Sequence, residues 1–406
     1  MKAMKSTEQE KEEDLNRKPV TRTRSKKAIW VLVTFVVVAA VLGVVFRASI
    51  SSWLKDSTRL GQSVEALFKR GEQCREAGNY DCAIENYSRA IAANPEYAEA
   101  YHKRGRVYNK MARYDQAVAD CNRAIQLKPE LAEAYGCRGA GYGLLGKDEQ
   151  AIADFSRAIE LNPQLAEAYS NRGFGYYTIG RYAEAISDFN RAIELAQNAD
   201  DYVKRGEVFS AQGHLDQAMA DFNQAIELDA KLAVAYDDRG LAHLKRNELG
   251  AAIVDLDRAI ELNPNFADAY YNRGTAHNTA LRLDRAIDDF NKAIALNPKF
   301  AAAYNNRGVA YVNQGKIELA LKDYDTAIEL NPEVSDFYIY RALANSKKQD
   351  YDKAIDDFGK ALTLNPSNAA IYYQRAMVFR GMGREAEARA DIRKYDEQSR
   401  QEKGVK

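Results

Sequence analysis

A short motif recurs along this chain at a nearly fixed interval. It reads Tyr-x-x-Arg-Gly, with an Ala about twelve residues after the Gly, and it returns about every 34 residues. Its glycines are Gly105, Gly139, Gly173, Gly206, Gly240, Gly274 and Gly308. A period of this length predicts a solenoid, in which each unit buries its apolar face only by stacking on its neighbours. The sequence therefore predicts a linear array of similar units and makes catalysis improbable.

The charge balance of the chain excludes some classes of partner. The 406 residues carry 58 Lys and Arg against 58 Asp and Glu. Without an overall positive field, we expect no nucleic acid partner.

Proline is scarce and recurs at one position of the repeat, where a helix should end. These prolines are Pro95, Pro129, Pro163, Pro264, Pro298, Pro332 and Pro366.

The segment 267–300 shows how one unit should fold. Tyr270 and Gly274 recur at helical spacing in its first half, and Ala286 and Phe290 do so in its second half. Since Gly and Ala have almost no side chain, the two helices can approach closely, with the aromatic rings beside their crossing. Each unit is therefore predicted to be a helical hairpin.

The aromatic, Gly, Ala and Pro positions of these units resemble the tetratricopeptide repeat, a helix-turn-helix unit. The resemblance implies an all-α fold, a right-handed superhelical α-solenoid. Gln197 and Ala230 replace the expected Pro, so we expect less sharply terminated helices at those two junctions. The ten units begin near Val64, Ala98, Ala132, Ala166, Ala199, Ala233, Ala267, Ala301, Ser335 and Ala369.

An Arg precedes the small residue in all ten units, which departs from the common family pattern. An Asp recurs on the second helix of every unit but the first, which has Asn86. Antiparallel pairing would bring each Arg near the Asp of its own unit, as with Arg273 and Asp289. We therefore predict a ladder of ion pairs, and the alternative is a stripe of Arg that binds anions. Loss of one member of a partly buried pair would cost on the order of 3 kcal/mol.

Residues 28–46 form an uncharged apolar run, long enough to cross a hydrocarbon core of about 30 Å. Lys and Arg are more frequent before this run than after it, which predicts a cytoplasmic N-terminus and exported repeats, periplasmic in a bacterium. A signal-anchor is favoured over a cleaved signal peptide, because Val45 and Phe46 stand where cleavage needs small residues. The predicted parts are a disordered basic cytoplasmic tail (1–27), a transmembrane helix (28–46), a juxtamembrane linker (47–63), the solenoid (64–398) and a tail (399–406).

The remaining stripe of each first helix should line the concave surface, an assignment that rests on the family resemblance. In the middle and late units this stripe is apolar, aromatic and rich in Asn, which suits a bound peptide or helix. The alternative is a solvated face with scattered apolar residues. The predicted partner-binding residues are Asn171, Phe174, Tyr177, Leu241, Leu244, Tyr271, Asn272, Asn305, Asn306, Ile339, Tyr340, Leu343, Tyr373 and Met377.

We expect no catalytic residue, metal, cofactor or small-molecule substrate. The segment 141–147 (GYGLLGK) resembles a phosphate-binding loop, but Asp148 replaces its final Ser or Thr and no strand precedes it.

Cys74 and Cys82 lie on either side of a turn, so a disulfide between them is conceivable in an oxidising compartment. We expect Cys121 to fill a small apolar space and Cys137 to face the groove as a free thiol.

The sequence as a whole predicts a non-enzymatic, membrane-anchored scaffold that binds partner peptides or proteins in the concave groove. An envelope protein assembly or folding factor is the alternative, since it would differ in the turnover of its clients and not in sequence. A regulatory subunit of an enzyme complex is a further alternative. A repeat-fused glycosyltransferase is disfavoured, because almost no residues remain for a catalytic domain.

Overall fold

The fold is built from α-helices. The computed structural model describes residues 64–402, and over this range it contains twenty helices and no strand. The predicted tail, transmembrane helix and linker (residues 1–63) lie outside the described residues. Within residues 64–402, none of the helices combines the length and the apolar character needed to cross a bilayer.

The chain divides into two compact units between Met111 and Ala112. The first unit contains α1 (64–76), α2 (Tyr80–Ala93) and α3 (Ala98–Lys110). The second unit contains α4 (Tyr114–Leu127), α5 (Ala132–Leu144), α6 (Asp148–Leu161), α7 (Ala166–Thr178), α8 (Tyr182–Ala196), α9 (Ala199–Ala211), α10 (Leu215–Leu228), α11 (Ala233–Lys245), α12 (Leu249–Leu262), α13 (Ala267–Thr279), α14 (Leu283–Leu296), α15 (Ala301–Asn313), α16 (Ile317–Leu330), α17 (Ser335–Lys347), α18 (Tyr351–Leu364), α19 (Ala369–Gly381) and α20 (Glu385–Glu402).

The helices of the second unit pack in chain order. Odd-numbered helices are the first helices of their repeats and even-numbered helices are the second. From α5 onward each first helix forms a hairpin with the next helix, and each second helix packs on the first helix of the following repeat. First helices also contact one another from α5 to α17. Residues 112–402 therefore form the predicted solenoid of helix-turn-helix units, in which contacts join neighbouring repeats.

Small residues at the helix crossings allow the two helices of a repeat to meet. A Cβ added at Gly274 would lie 2.8 Å from a ring carbon of Phe290, and Ala286 and Phe290 are completely buried. A side chain at position 274 would have to displace this ring. The repeated Gly, Ala and aromatic positions are therefore the core of each hairpin.

The turn inside each repeat depends on one residue in the left-handed region. Its φ is positive in every repeat from the first to the tenth, for example 75° at Gly315 and 57° at Leu281. Gly adopts this conformation without steric cost, whereas a Cβ makes it unfavourable. The residues at this position are Gly78, Ala112, Gly146, Gly180, Gly213, Asn247, Leu281, Gly315, Gln349 and Gly383.

The second helices end at an Asn or Asp in most repeats. Asn297 has φ −133°, and its Oδ1 accepts the backbone N–H of Lys299 at 3.1 Å. At the two junctions without Pro, α8 ends before Gln197 in the left-handed region, and Asp229 accepts the N–H of Lys231 at 2.9 Å. The expectation of less sharply terminated helices there is wrong, because a left-handed residue and an Asp side chain supply the caps.

Candidate partner-binding face

The first helices of the second unit form one continuous side from α5 to α17, because each contacts the next first helix within this range. In three places the sixth residue of one first helix donates a hydrogen bond to the fifth residue of the preceding first helix. Both positions therefore lie on that side. The ninth and twelfth residues follow at helical spacing. We call the side chains at these four positions the inner face. Every predicted partner-binding residue occupies one of them.

Exposed aromatic side chains are confined to this face within the described residues. They are Phe174 (46% exposed), Tyr340 (38%) and Tyr373 (43%). All three are predicted partner-binding residues. Tyr340 stacks on Tyr324, with ring centroids 6.3 Å apart, and Tyr373 lies 5.4 Å from Tyr395.

Other predicted residues are engaged within the protein. Asn272, of which 8% is exposed, donates to both carboxylate oxygens of Asp237 at 3.1 and 3.2 Å. Asn306 donates to the hydroxyl of Tyr271 at 3.0 Å. The remaining predicted residues of the late repeats pack into the core or are buried. Ile339 and Leu343 pack against a core cluster, and Asn305 is buried. Asn171, Tyr177, Leu241, Leu244 and Met377 are partly buried.

A hydrogen bond of one type joins successive first helices in three places. The sixth residue of one helix donates to the fifth residue of the preceding first helix. Besides Asn272 and Asn306, Lys204 donates in this way to the Ser170 hydroxyl at 3.0 Å. This pattern was not apparent from the sequence, because its donors and acceptors differ in type from repeat to repeat.

Three carboxylates of the inner face were not predicted as site residues. They are Glu207 on α9 and Asp237 and Asp238 on α11. Burial raises the pKa of Asp238 to about 8, with Glu207 and Asp237 adding to the effect and Lys245 opposing it. Burial also raises the pKa of Asp237 to about 6 and the pKa of Glu207 above its ordinary value. The fold therefore holds acidic groups where water solvates their charge poorly.

The predicted Arg–Asp ladder is confirmed in eight repeats of the second unit. Arg273 donates from Nη2 to Asp289 Oδ1 at 2.6 Å and from Nε to Oδ2 at 3.0 Å. Its guanidinium also lies over the ring of Tyr270, 5.5 Å from the centroid. The pairs are Arg138–Asp154, Arg172–Asp188, Arg205–Asp221, Arg239–Asp255, Arg273–Asp289, Arg307–Asp323, Arg341–Asp357 and Arg375–Asp391.

The third nitrogen of most ladder Arg side chains bonds to the preceding repeat. Nη1 of Arg273 donates to Asp257 at 2.7 Å, and Nη1 of Arg307 donates to Asn291 at 2.6 Å. The same bond is made by Arg138, Arg172, Arg205, Arg239 and Arg341. With Nε, Nη1 and Nη2 all donating within the protein, the geometry favours the ladder over an anion-binding stripe.

The four cysteines form two disulfides. Cys74 pairs with Cys82, with Cα atoms 5.7 Å apart, and Cys121 pairs with Cys137, with Cα atoms 6.1 Å apart. The expectation of a free thiol at Cys137 is wrong. The sixteen-residue separation that brings Arg138 to Asn122 also brings Cys137 to Cys121 on the preceding second helix.

The segment that resembles a phosphate-binding loop is part of a repeat. Residues 141–144 belong to α5, and Gly146 is the left-handed residue of the following turn.

In the described part of the chain, no group of three or more His, Cys, Asp or Glu side chains could hold a metal ion. Two surface pockets, of about 620 and 320 Å³, lie beside the ladder pairs of Arg341 and Arg273.

Comparisons with known proteins identify the repeats. Models described as Tetratricopeptide repeat match residues 98–131, 164–232, 301–334 and 335–368, and a model described as TPR repeat matches 71–112, 142–180, 240–278 and 282–315. These segments together include most of the chain. No protein of curated function matches the sequence.

Solved structures share the fold at low sequence identity. A tetratricopeptide repeat protein from Parabacteroides merdae ATCC 43184 is 20% identical and has a TM-score of 0.51, over 61% of this chain and 99% of that chain. A monomeric mutant of IFIT1 with Gppp-AAAA is 13% identical, with a TM-score of 0.52, over 82% of this chain and 90% of that chain. Yeast Tom70 covers 85% of this chain and 94% of its own, with 16% identity and a TM-score of 0.46.

Proposed function

Because this chain belongs to the tetratricopeptide repeat family, we propose that it is a scaffold that binds protein or peptide partners on its inner face. The observation that carries the proposal is the position of Phe174, Tyr340 and Tyr373. Large aromatic side chains that remain exposed on one face are typical of the residues that dominate binding energy in protein interfaces. The proposal includes no enzymatic activity, since the repeat scaffold occupies the described chain.

Site-specific photo-cross-linking tests this proposal. Benzoylphenylalanine is placed at Phe174, Tyr340 or Tyr373, and in matched controls at Val254 (67% exposed) or Leu319 (47%), which lie on second helices. We expect cross-linked partners from the three inner-face positions and none from the two controls. Equal cross-linking from both sets, or cross-linking from the second helices alone, would contradict inner-face binding.

An envelope assembly or folding factor would use the same face with transient clients. Pulse labelling before cross-linking separates the two functions. A stable scaffold yields the same adduct from old and new partner molecules. A folding factor yields adducts from newly made clients alone.

We further propose that residues 28–46 anchor the protein in a membrane, with the repeats on the exported side. The support is the uncharged run and the Lys and Arg that precede it. The two disulfides fit an oxidising compartment. In a bacterial host, alkaline phosphatase fused after Lys406 should be active, and deletion of 28–46 should abolish its activity. Release of the full chain from membranes by sodium carbonate would refute the anchor.

A further inference from the structure

The inner face carries an acidic group that a general scaffold function does not explain. Glu207 and Asp237 both affect the pKa of Asp238, so the three carboxylates lie near one another on α9 and α11. Lys245 partly offsets the charge of Asp238, and Lys204 partly offsets that of Glu207. Carboxylates crowded into a partly buried position raise the free energy of the fold, so their placement calls for a reason other than stability.

Asp238 occupies a position that supplies a hydrogen-bond donor in three other repeats, but its side chain is an acceptor. The sixth residue is a donor at Lys204, Asn272 and Asn306, each bonded to the fifth residue of the preceding first helix. Asp238 is the sixth residue of α11. The fifth residue of the preceding first helix, α9, is Val203. The residue at the bonding position of α9 therefore has no polar side chain to offer Asp238.

One carboxylate oxygen of Asp238 is left without a partner as a result. Its Oδ2 is buried and accepts no hydrogen bond from the described residues. Nearly all buried polar atoms in folded proteins have a partner, and an unsatisfied one is costly. The unpaired oxygen makes the charged carboxylate costly, and because Asp238 is only partly buried, a donor from another molecule can reach its side chain and offset that cost.

Aromatic rings lie beside these carboxylates. After burial, Glu207 and Asp238 are among the groups that raise the pKa of Tyr177, so its hydroxyl lies near both. The ring centroids of Tyr177 and Phe174 are 6.2 Å apart, and nearly half of Phe174 is exposed. Aromatic faces and carboxylates side by side attract one kind of group, an organic cation such as the side chain of Lys or Arg.

We propose that the inner face of α7, α9 and α11 binds a basic segment of a partner protein. A Lys or Arg side chain of that segment lies over the exposed ring of Phe174, beside Tyr177, and donates to Glu207 and Asp238. This inference rests on the proposed function and assigns a chemistry to the partner. Leu241, one helical turn from Asp238 on the same face, contacts the aliphatic stem of the cationic side chain.

The bound cation should make affinity depend on pH. Asp238 and Asp237 have pKa values of about 8 and 6 in the absence of a partner. Tyr177, Glu207 and Lys245 are the titratable groups that act on Asp238 besides Asp237. Lys204 acts on Glu207, and Asp268 acts on Asp237. A cation favours the ionised carboxylates, so binding releases protons, and the affinity for a basic segment rises as the pH increases from about 6 to 8.

Three labelled peptides test the inference with the full chain. They have equal length and carry Lys, Gln or Glu at the same positions of an otherwise identical sequence, and their binding is followed by fluorescence anisotropy. We expect the Lys peptide to bind about tenfold more tightly than the Glu peptide, and several-fold more tightly at pH 8.5 than at pH 6. Asp238→Asn and Glu207→Gln should each weaken its binding about fivefold or more. Asp352→Asn, which removes an exposed carboxylate of α18, should leave binding unchanged.

Several results would overturn the inference. They are similar affinities for the three peptides, preference for the Glu peptide, binding to none of them, or undiminished binding of the Lys peptide to Asp238→Asn. Circular dichroism confirms that each variant is folded. Cross-linking from Phe174, Tyr340 and Tyr373 judges the proposed function separately, so the scaffold function can stand while the basic partner fails.

Discussion

At the scale of single residues, the turn inside each repeat shows a compromise. Its left-handed position is Gly in six repeats but Leu281 in the seventh. Leu281 has φ 57° and is 74% exposed, so its side chain contributes little packing in return for the strained backbone. In the left-handed region, a residue with a Cβ destabilises the fold by roughly 1–2 kcal/mol relative to Gly. Gly offsets part of this advantage, because it loses more conformational entropy on folding.

Leu281→Gly should therefore stabilise the protein. We expect the free energy of unfolding, measured by guanidinium titration, to rise by about 1 kcal/mol. The reciprocal change Gly315→Leu, at φ 75° in the next repeat, should lower it by a similar amount. Stabilisation by Gly315→Leu, or no change in either variant, would show that the left-handed backbone is not what limits these turns.

At the scale of helices, the Arg ladder ties each repeat to the one before it, except at the last repeat. Arg375 makes its two bonds to Asp391, at 2.7 and 2.9 Å. In the seven preceding repeats the Nη1 acceptor lies fifteen or sixteen positions before the Arg, and the residue sixteen positions before Arg375 is Gly359. Gly359 has no side chain and lies inside α18, with nothing within 4 Å of an added Cβ.

Gly359→Asn should install the missing bond. Replacing a helical Gly by Ala stabilises a helix by up to about 1 kcal/mol, and Asn is a poorer helix former than Ala. We nevertheless expect Asn to stabilise more than the matched control Gly359→Ala, by about 1 kcal/mol, because its oxygen accepts from a charged guanidinium. The advantage should disappear in an Arg375→Lys background, measured again by guanidinium titration. An Asn variant no more stable than the Ala variant would show that the bond does not form.

At the scale of the whole molecule, the contacts within one repeat could be predicted from the sequence. The hairpins follow from the regular Gly, Ala and Pro positions, and the Arg–Asp pairs follow because both partners belong to the same hairpin at a constant separation. Bonds between repeats were harder to predict. Asn272 and Asp237, or Cys121 and Cys137, meet only because of the angle at which one hairpin packs on the next, and the period of the motif does not contain that angle.

The acidic group was missed for a related reason. Within its own helix, the sequence around Asp238 is that of a solvated charge. Its meaning depends on Val203 in the preceding repeat, which offers no donor, and on Glu207 beside it. The aromatic residues Phe174, Tyr340 and Tyr373 could be predicted, because an apolar residue on a face away from the core stands out in one helix alone.

The two disulfides have a mechanical consequence. One joins α1 to α2 and the other joins α4 to α5, and the sequence has no further cysteine beyond Cys137. If the chain is pulled from its two ends, the stretches enclosed by these covalent links cannot lengthen. The hairpins from α7 onward have no such restraint, so they can extend fully under tension. Residues 74–82 and 121–137 stay folded back on themselves until their disulfides are reduced.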